Sequence, residues 1–462
     1  NRRINYIKSV EVNILVDKKD VNNKPLLKDG QNAKRAEDHE LYVVGIGASA
    51  GGLDALNRFF DNISDRPGMA FVVVQHLSPD YDSHMVSLLS KKTQMRVKEI
   101  KNGMEVEANT VYLIPPNKNL KIVDNQLLLL EPDDKNKRYL NLPIDIFLRS
   151  LAEYKKDKAI GVILSGTGSD GVRGIRSIKE YDGMVMVQKK NTAKFDGMPT
   201  NAIATGIVDH ILPPEEMGDR LIKFISHPYF NKDFVVDENK THQNNNFKKI
   251  LSLIKDETNI DFFQYKNSTV VRRIERRMVI NDIKEIGQYF SFLQKSKDEL
   301  NTLARELLIG VTNFFRDSKA FETLKKEVIS QLIEEKNNNS EIRIWIAGCS
   351  TGEEVYSLAI QLIECIENKK GNYHLKIFAT DIQENVLQRA SKGECPGSIV
   401  ADVSHERLKK YFVKHGNSYK IKENIRKMII FSKHDVTNDP PFHKIDLISC
   451  RNLLIYLKPE IQ

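Results

Sequence analysis

Three residues of the types that carry out acyl transfer, Ser49, His76 and Asp170, each stand where an apolar run gives way to a turn. A serine hydroxyl attacks a carbonyl only when a base takes its proton and an acid orients that base. Ser49 lies in Gly47-Ala48-Ser49-Ala50-Gly51, a Gly-x-Ser-x-Gly pattern. Its small neighbours permit a tight strand-to-helix turn that presents the hydroxyl at a sheet edge and leaves backbone N–H groups free. A glycine-rich turn that only binds an anion or packs tightly satisfies the same pattern.

The elements that must position these groups are legible around them. Tyr42, Val43, Val44 and Ile46 read as a buried strand, and Leu53, Leu56, Phe59 and Phe60 follow at helical spacing. Residues 70–75 form a second buried strand ending at His76, and Ala159–Ser165 a third, ahead of the turn Gly166-Thr167-Gly168-Ser169-Asp170-Gly171. In a parallel sheet the carboxyl ends of strands share one edge, so the three groups can converge although they are far apart in sequence. Val111–Ile114 and Met184–Val187 supply further strands, and the alternation with helical patterns from 41 to about 225 predicts an α/β domain with a mainly parallel sheet.

A second constellation lies toward the other end. Ile342–Ala347 reads as a strand, followed by Gly348, Cys349, Ser350, Thr351, Gly352, Glu353 and Glu354 and then a helix. Glycines at a first strand-to-helix turn let a ligand approach the backbone, and two carboxylates without phosphate-loop spacing favour a ligand with a cationic group. Leu375–Ala379 is the next strand, and Asp381 stands where such folds hold ribose hydroxyls. S-adenosylmethionine, with an amine, a sulfonium and a ribose, suits this set. Between the two constellations, residues 247–335 are helical in pattern. There Arg272 with Arg276 and Arg273 with Arg277 form a basic stripe beside the apolar face of Val271, Ile274 and Met278; a plain solvated face is the alternative.

At 462 residues the chain exceeds one ordinary core, and about 150 residues per domain predicts about three domains. The expected division is a flexible lead-in over 1–40, the first α/β domain over 41–225, a polar linker over 226–246, the helical domain over 247–335 and a nucleoside-binding domain over 336–462. No run of about 18 apolar residues and no signal sequence is present, which predicts a cytoplasmic protein without membrane insertion. The four cysteines are widely spaced, giving neither a metal-ligand pattern nor a disulfide framework, so no metal is expected. A net charge of +8 from 70 basic and 62 acidic residues is too modest to argue for nucleic acid.

The set GASAGG at 47–52, QH at 75–76, GTGSDG at 166–171 and DGMP at 196–199 resembles the catalytic domain of the CheB chemotaxis methylesterases. The resemblance implies Ser49 as nucleophile, His76 as general base and Asp170 as the group that orients it. Ala50 departs from the threonine of many relatives, and no receiver domain precedes residue 41, so control through an attached receiver is not expected. The motifs TNFFRD at 312–317, CSTGEEVYS at 349–357, ATDI at 379–382 and CRNLLIYL at 450–457 are similar to the CheR receptor methyltransferases. This second resemblance implies a Rossmann-like domain in which Thr312, Arg316, Glu353 or Glu354, Asp381, Asp435, Val436, Asn452 and Leu453 contact S-adenosylmethionine. It places Tyr456 and Arg316 near the transferred methyl, and turns the Arg272, Arg273, Arg276 and Arg277 helix toward an acidic receptor helix.

The implied function is bifunctional: hydrolysis of receptor glutamyl methyl esters, with deamidation of glutamine a related outcome, and methylation of receptor glutamates. A carboxylate with a pKa of about 4.3 is ionised at neutral pH, so methyl transfer needs no general base. A signalling scaffold that has lost turnover and an RNA methyltransferase are the competing readings. The family continues beyond the position of Gln462, which predicts a bare sheet edge and a poorly stable transferase domain.

Overall fold

The computed structural model describes residues 41–75, 84–132, 141–227, 245–308, 310–369 and 372–462. His76, the expected lead-in and most of the expected linker lie outside the described residues. In the first domain seven strands form one sheet: β1 (Val43–Ala48), β2 (Ala70–Gln75), β3 (Arg96–Glu99), β4 (Thr110–Leu113), β5 (Ala159–Ile163), β6 (Met184–Gln188) and β7 (His210–Leu212), in the order β7-β6-β5-β1-β2-β4-β3. Every pairing is parallel. A parallel sheet covered on both faces reads as apolar runs rather than alternation. Along β1, Val44, Ile46 and Ala48 join Leu56, Phe59 and Phe60 of helix α1 (Gly52–Phe60) in one core, while Val43 joins Phe147, Leu148 and Leu151 of helix α2 (Pro143–Lys155) in the other.

Strand order reverses at β1, whose neighbours are β5 and β2. That is where an open α/β sheet leaves a crevice at its carboxyl edge. Helix α3 (Val172–Glu180) leaves the turn after β5 and buries Val172, Ile175 and Ile178. Their three-residue spacing leaves Arg173, Arg176 and Lys179 together on another face.

The second half opens on a helical domain: α4 (Asn245–Thr258), α5 (Asn267–Ile280), α6 (Ile286–Lys295) and α7 (Lys297–Leu307) enclose a core that includes Phe247, Ile250, Ile274, Tyr289 and Leu303. A four-stranded parallel sheet follows, built from β8 (Glu341–Ala347), β9 (His374–Asp381), β10 (Ile429–Lys433) and β11 (Leu447–Ser449) in the order β10-β9-β8-β11. Helix α8 (Glu353–Lys369) packs into its main core with Ile342, Ile344 and Ile346; the opposite face carries the small cluster of Trp345, Ala347 and Phe378. Among the described residues strand β11 pairs on one side only, and Ile448 on it is 56% exposed. Two small antiparallel sheets, over 104–130 and 394–421, are additions that the parallel reading of the sequence did not contain.

Candidate active sites

Ser49 is the residue after β1, and its position is set by the neighbouring strand end. Its N–H donates to the Ser165 carbonyl at 2.9 Å. A side chain at Gly166 would begin 2.9 Å from the Ser49 Cβ, so only glycine lets the two loops close to this distance. Gly51 has a φ of 72°, a conformation that glycine adopts without a Cβ penalty, and it caps α1 at the turn. The Ser49 N–H is thus engaged rather than free, whereas no hydrogen bond among the described residues engages the N–H of Ala50 or Gly51.

Asp170 lies at the same rim, at the end of the turn after β5, and is buried. Its carboxylate accepts the N–H groups of Ile144 at 3.0 Å, Asp145 at 2.9 Å and Gly171 at 2.9 Å. Two of these belong to the first turn of α2, where unpaired N–H groups and the helix dipole favour negative charge. The structure brings Ser49 and the Asp170 turn to adjoining strand ends at the β1/β5 switch point.

Asp145, which the sequence reading did not single out, stands beside Asp170. It accepts the Gly174 N–H at 2.7 Å, and its other oxygen has no partner among the described residues. Burial first, then the charge of Asp170, pushes its carboxyl up to about 8. The folded-state pKa exceeds the unfolded value, so its contribution is full below pH ~3.8 and is lost as pH rises through about 8. Asp145→Asn keeps an acceptor for Gly174 without needing a proton. It is expected to raise the melting temperature at pH 8 to 9 and to flatten the stability profile below; parallel profiles for variant and parent would refute the assignment.

The other constellation surrounds a cavity of about 510 Å³ at the carboxyl edge of β8, β9 and β11, in the ~300–1,000 Å³ range of ligand pockets. Thr312, Arg316, Glu354, Asp381, Asp435, Val436, Asn452, Leu453 and Tyr456 all line it. Glu353 does not: it accepts from Arg176 at 3.0 Å and Thr351 at 2.5 Å, so the structure separates the two glutamates that the sequence left as alternatives. Asp381 is bonded by the N–H groups of Ser350 and Gln383 at 2.9 and 3.0 Å, and Glu354 by the Ser449 hydroxyl at 2.6 Å. Burial pushes both carboxyls up. Neither makes an ion pair among the described residues, so a ligand with a cationic end fits the cavity's chemistry.

The arginine helix departs from expectation. In α5, Arg273, Arg276 and Arg277 are buried, and the open basic stripe does not exist in this arrangement. Arg277 pairs with Glu299 at 2.5 Å, Arg273 donates to the Glu306 and Leu307 carbonyls, and Arg276 reaches the first domain at Asp209, 2.8 Å, and the Gly183 carbonyl. Arg272 stays exposed but pairs with Asp182 at 2.6 Å. The physical reason is that α7 engages Arg273 and Arg277, while Gly183 and Asp209 of the first domain cover Arg276. Lys179, with a fully buried side chain, bridges Asp209 and Glu306 at 2.8 Å each, and Arg316 pairs with Glu180. Burial opposes ionisation of Asp209, but Arg276 and Lys179 outweigh it and hold the carboxyl well below the usual range.

Among the described residues no helix is long and apolar enough to cross a membrane, and no cluster of metal-ligating side chains occurs.

Comparison with known proteins matches each half to a family. Residues 44–221 match the CheB methylesterase family, 245–308 the all-alpha domain of the CheR methyltransferases and 310–462 their SAM-binding domain. An uncharacterized 104.1 kDa protein of Rhodobacter capsulatus, in the hypE 3′ region, is 36% identical over 82% of this chain, which spans 42% of its length. A chemotaxis protein methyltransferase of Listeria innocua is 34% identical over 45% of the chain and 77% of its own length. A relative from Leptospira interrogans bearing the name of a protein-glutamate methylesterase/protein-glutamine glutaminase is 32% identical over 40% of the chain and 95% of its own length. The chain therefore belongs to the CheB methylesterase family through its first half and to the CheR methyltransferase family through its second.

Proposed function

We propose that the chain both removes and adds methyl groups on glutamyl side chains of chemoreceptor-like proteins, acting in the cytoplasm on acidic helical segments. The meeting of Ser49 with the Asp170 turn at the β1/β5 switch point supports the hydrolytic half. Ser49 attacks the ester carbonyl, and His76 takes its proton and returns it to the departing methanol. Asp170 orients His76, itself held by three backbone N–H groups. The N–H groups of Ala50 and Gly51 are available to the oxyanion. Water then releases the acyl group by the same proton route in reverse.

In the transferase half, S-adenosylmethionine supplies an electrophilic methyl group when bound. Asp381 would hold its ribose hydroxyls and Glu354 its cationic end, with Val436 and Leu453 as apolar walls of the cavity. Asp381→Asn is expected to weaken S-adenosylmethionine by about 10- to 100-fold, the worth of a hydrogen bond to a charged group. Because burial raises this carboxyl, affinity in the parent should decline as pH falls toward the carboxylate range. Titration calorimetry across pH checks both; equal affinities for parent and variant would remove Asp381 from the site. The reading as a whole is tested with a methylated, glutamate-rich helical peptide. Methanol release and labelled methyl incorporation are expected from the complete chain, and absence of both leaves a scaffold.

A further inference from the structure

The seam between the halves is charged in both directions: Arg173, Arg176 and Lys179 of the esterase half pair with Asp402, Glu353 and Glu306 of the transferase half, and three esterase-half carboxylates face transferase-half arginines. Glu180 pairs with Arg316, Asp182 with Arg272 and Asp209 with Arg276. All three arginines are on the transferase side; the resemblance turns Arg272 and Arg276 toward an acidic receptor helix and places Arg316 at the cofactor, near the transferred methyl. Glu180 also lines the cofactor cavity beside Arg316. A glutamate side chain of this chain is thus already placed where a substrate glutamate would have to arrive.

An incoming helix has a diameter of about 10–12 Å. It cannot lie on α5 while Arg276, 5% exposed, is covered by the Gly183 carbonyl and Asp209 and Arg272 is held by Asp182. Resting on the methyltransferase reading above, we infer that the esterase half is an intramolecular competitor for the acidic substrate. Glu180 and its neighbours occupy the arginines as a pseudosubstrate, and a receptor-type helix displaces them.

The composition of the seam supports displacement. The core of the esterase half takes in Val279 from α5, but otherwise its clustered buried residues belong to its own domain among the described residues. Charges that leave such a seam regain their hydration, so separation forfeits little net energy compared with an apolar seam of the same extent. A substrate rich in carboxylates can replace the three that Arg316, Arg272 and Arg276 lose, though not the pairs that Arg173, Arg176 and Lys179 make across the seam.

The test uses the complete chain, S-adenosylmethionine and a synthetic helical peptide rich in glutamate. In the double variant Glu180→Gln/Asp182→Asn, the KM for the peptide should fall by about threefold or more, the expected sum of two partly exposed ion pairs. The Kd for S-adenosylmethionine is read as the control in Asp182→Asn alone, a residue outside the cavity lining, and should hold there. In the unaltered chain, hydrogen exchange should rise in 172–182 and 203–211 when the peptide is added, because those segments are released. A KM that stays the same or rises, or exchange that does not increase in those segments, overturns the inference while leaving the methyltransferase reading intact. Failure of the unaltered chain to bind S-adenosylmethionine overturns that reading and the inference with it.

Discussion

Ser49→Ala is expected to lower ester hydrolysis by at least ~10⁴-fold, since a triad without its nucleophile retains only what binding and the oxyanion donors supply. The loss should fall on kcat, because the alanine leaves the backbone of the turn and its N–H groups in place. The packing that holds Ser49 argues for a structurally quiet substitution: its neighbours there are Gly166 and the Ser165 carbonyl, and the latter is engaged by a backbone N–H that alanine retains. Methanol release from a methylated peptide measures the loss. The affinity for S-adenosylmethionine, which belongs to a different sheet, is read in parallel to show that the chain is folded. Hydrolysis within tenfold of the parent would reduce the Gly-x-Ser-x-Gly turn to a structural feature.

Lys179→Ala should uncouple the two halves. The side chain is fully buried between Asp209 and Glu306, and removing it leaves Asp209 to Arg276 at 2.8 Å and Glu306 with only Arg277, 3.9 Å away. Breaking a buried charge set by deleting one partner costs about 3–5 kcal/mol. That cost applies only while the seam is closed, so the variant escapes it by opening. The expected result is a larger radius of gyration in solution scattering and separate thermal transitions for the esterase and transferase halves. Replacing Glu306 by leucine in the same variant removes the stranded charge and should restore much of the docking. A single variant as compact as the parent would mean that water already fills this part of the seam.

How much of this was legible in the sequence depended on what each segment faces. The parallel strands were readable because both of their faces are covered, which turns β1, β2, β5, β8 and β9 into apolar runs. Their carboxyl ends then located Ser49, Asp170 and Asp381 without further information. The short strands of the two small antiparallel sheets, such as Phe412–His415 and Ser418–Ile421, are partly exposed and carry mixed residues, so periodicity had little to register.

The arginine stripe shows a different limit. Helical spacing identifies a face correctly, but it is blind to what lies against that face; the partners, Asp182 and Asp209, are dozens of positions away in a loop and before a strand. Asp145 escaped for a similar reason. Nothing around Pro143-Ile144-Asp145 distinguishes an ordinary helix start from one whose first turn grips the carboxylate of Asp170.

Helix α3 begins two residues after Asp170 and ends at Glu180 in the wall of the cofactor cavity. Nine residues span only about 14 Å, too short to flex, so the helix behaves as a lever. On the function proposed above, tilting it to admit a methyl acceptor at one end would disturb the turn that holds Asp170 at the other. A chain that both attaches and detaches the same group would waste methyl donor if both centres ran together, and a shared rigid arm makes their simultaneous operation mechanically awkward.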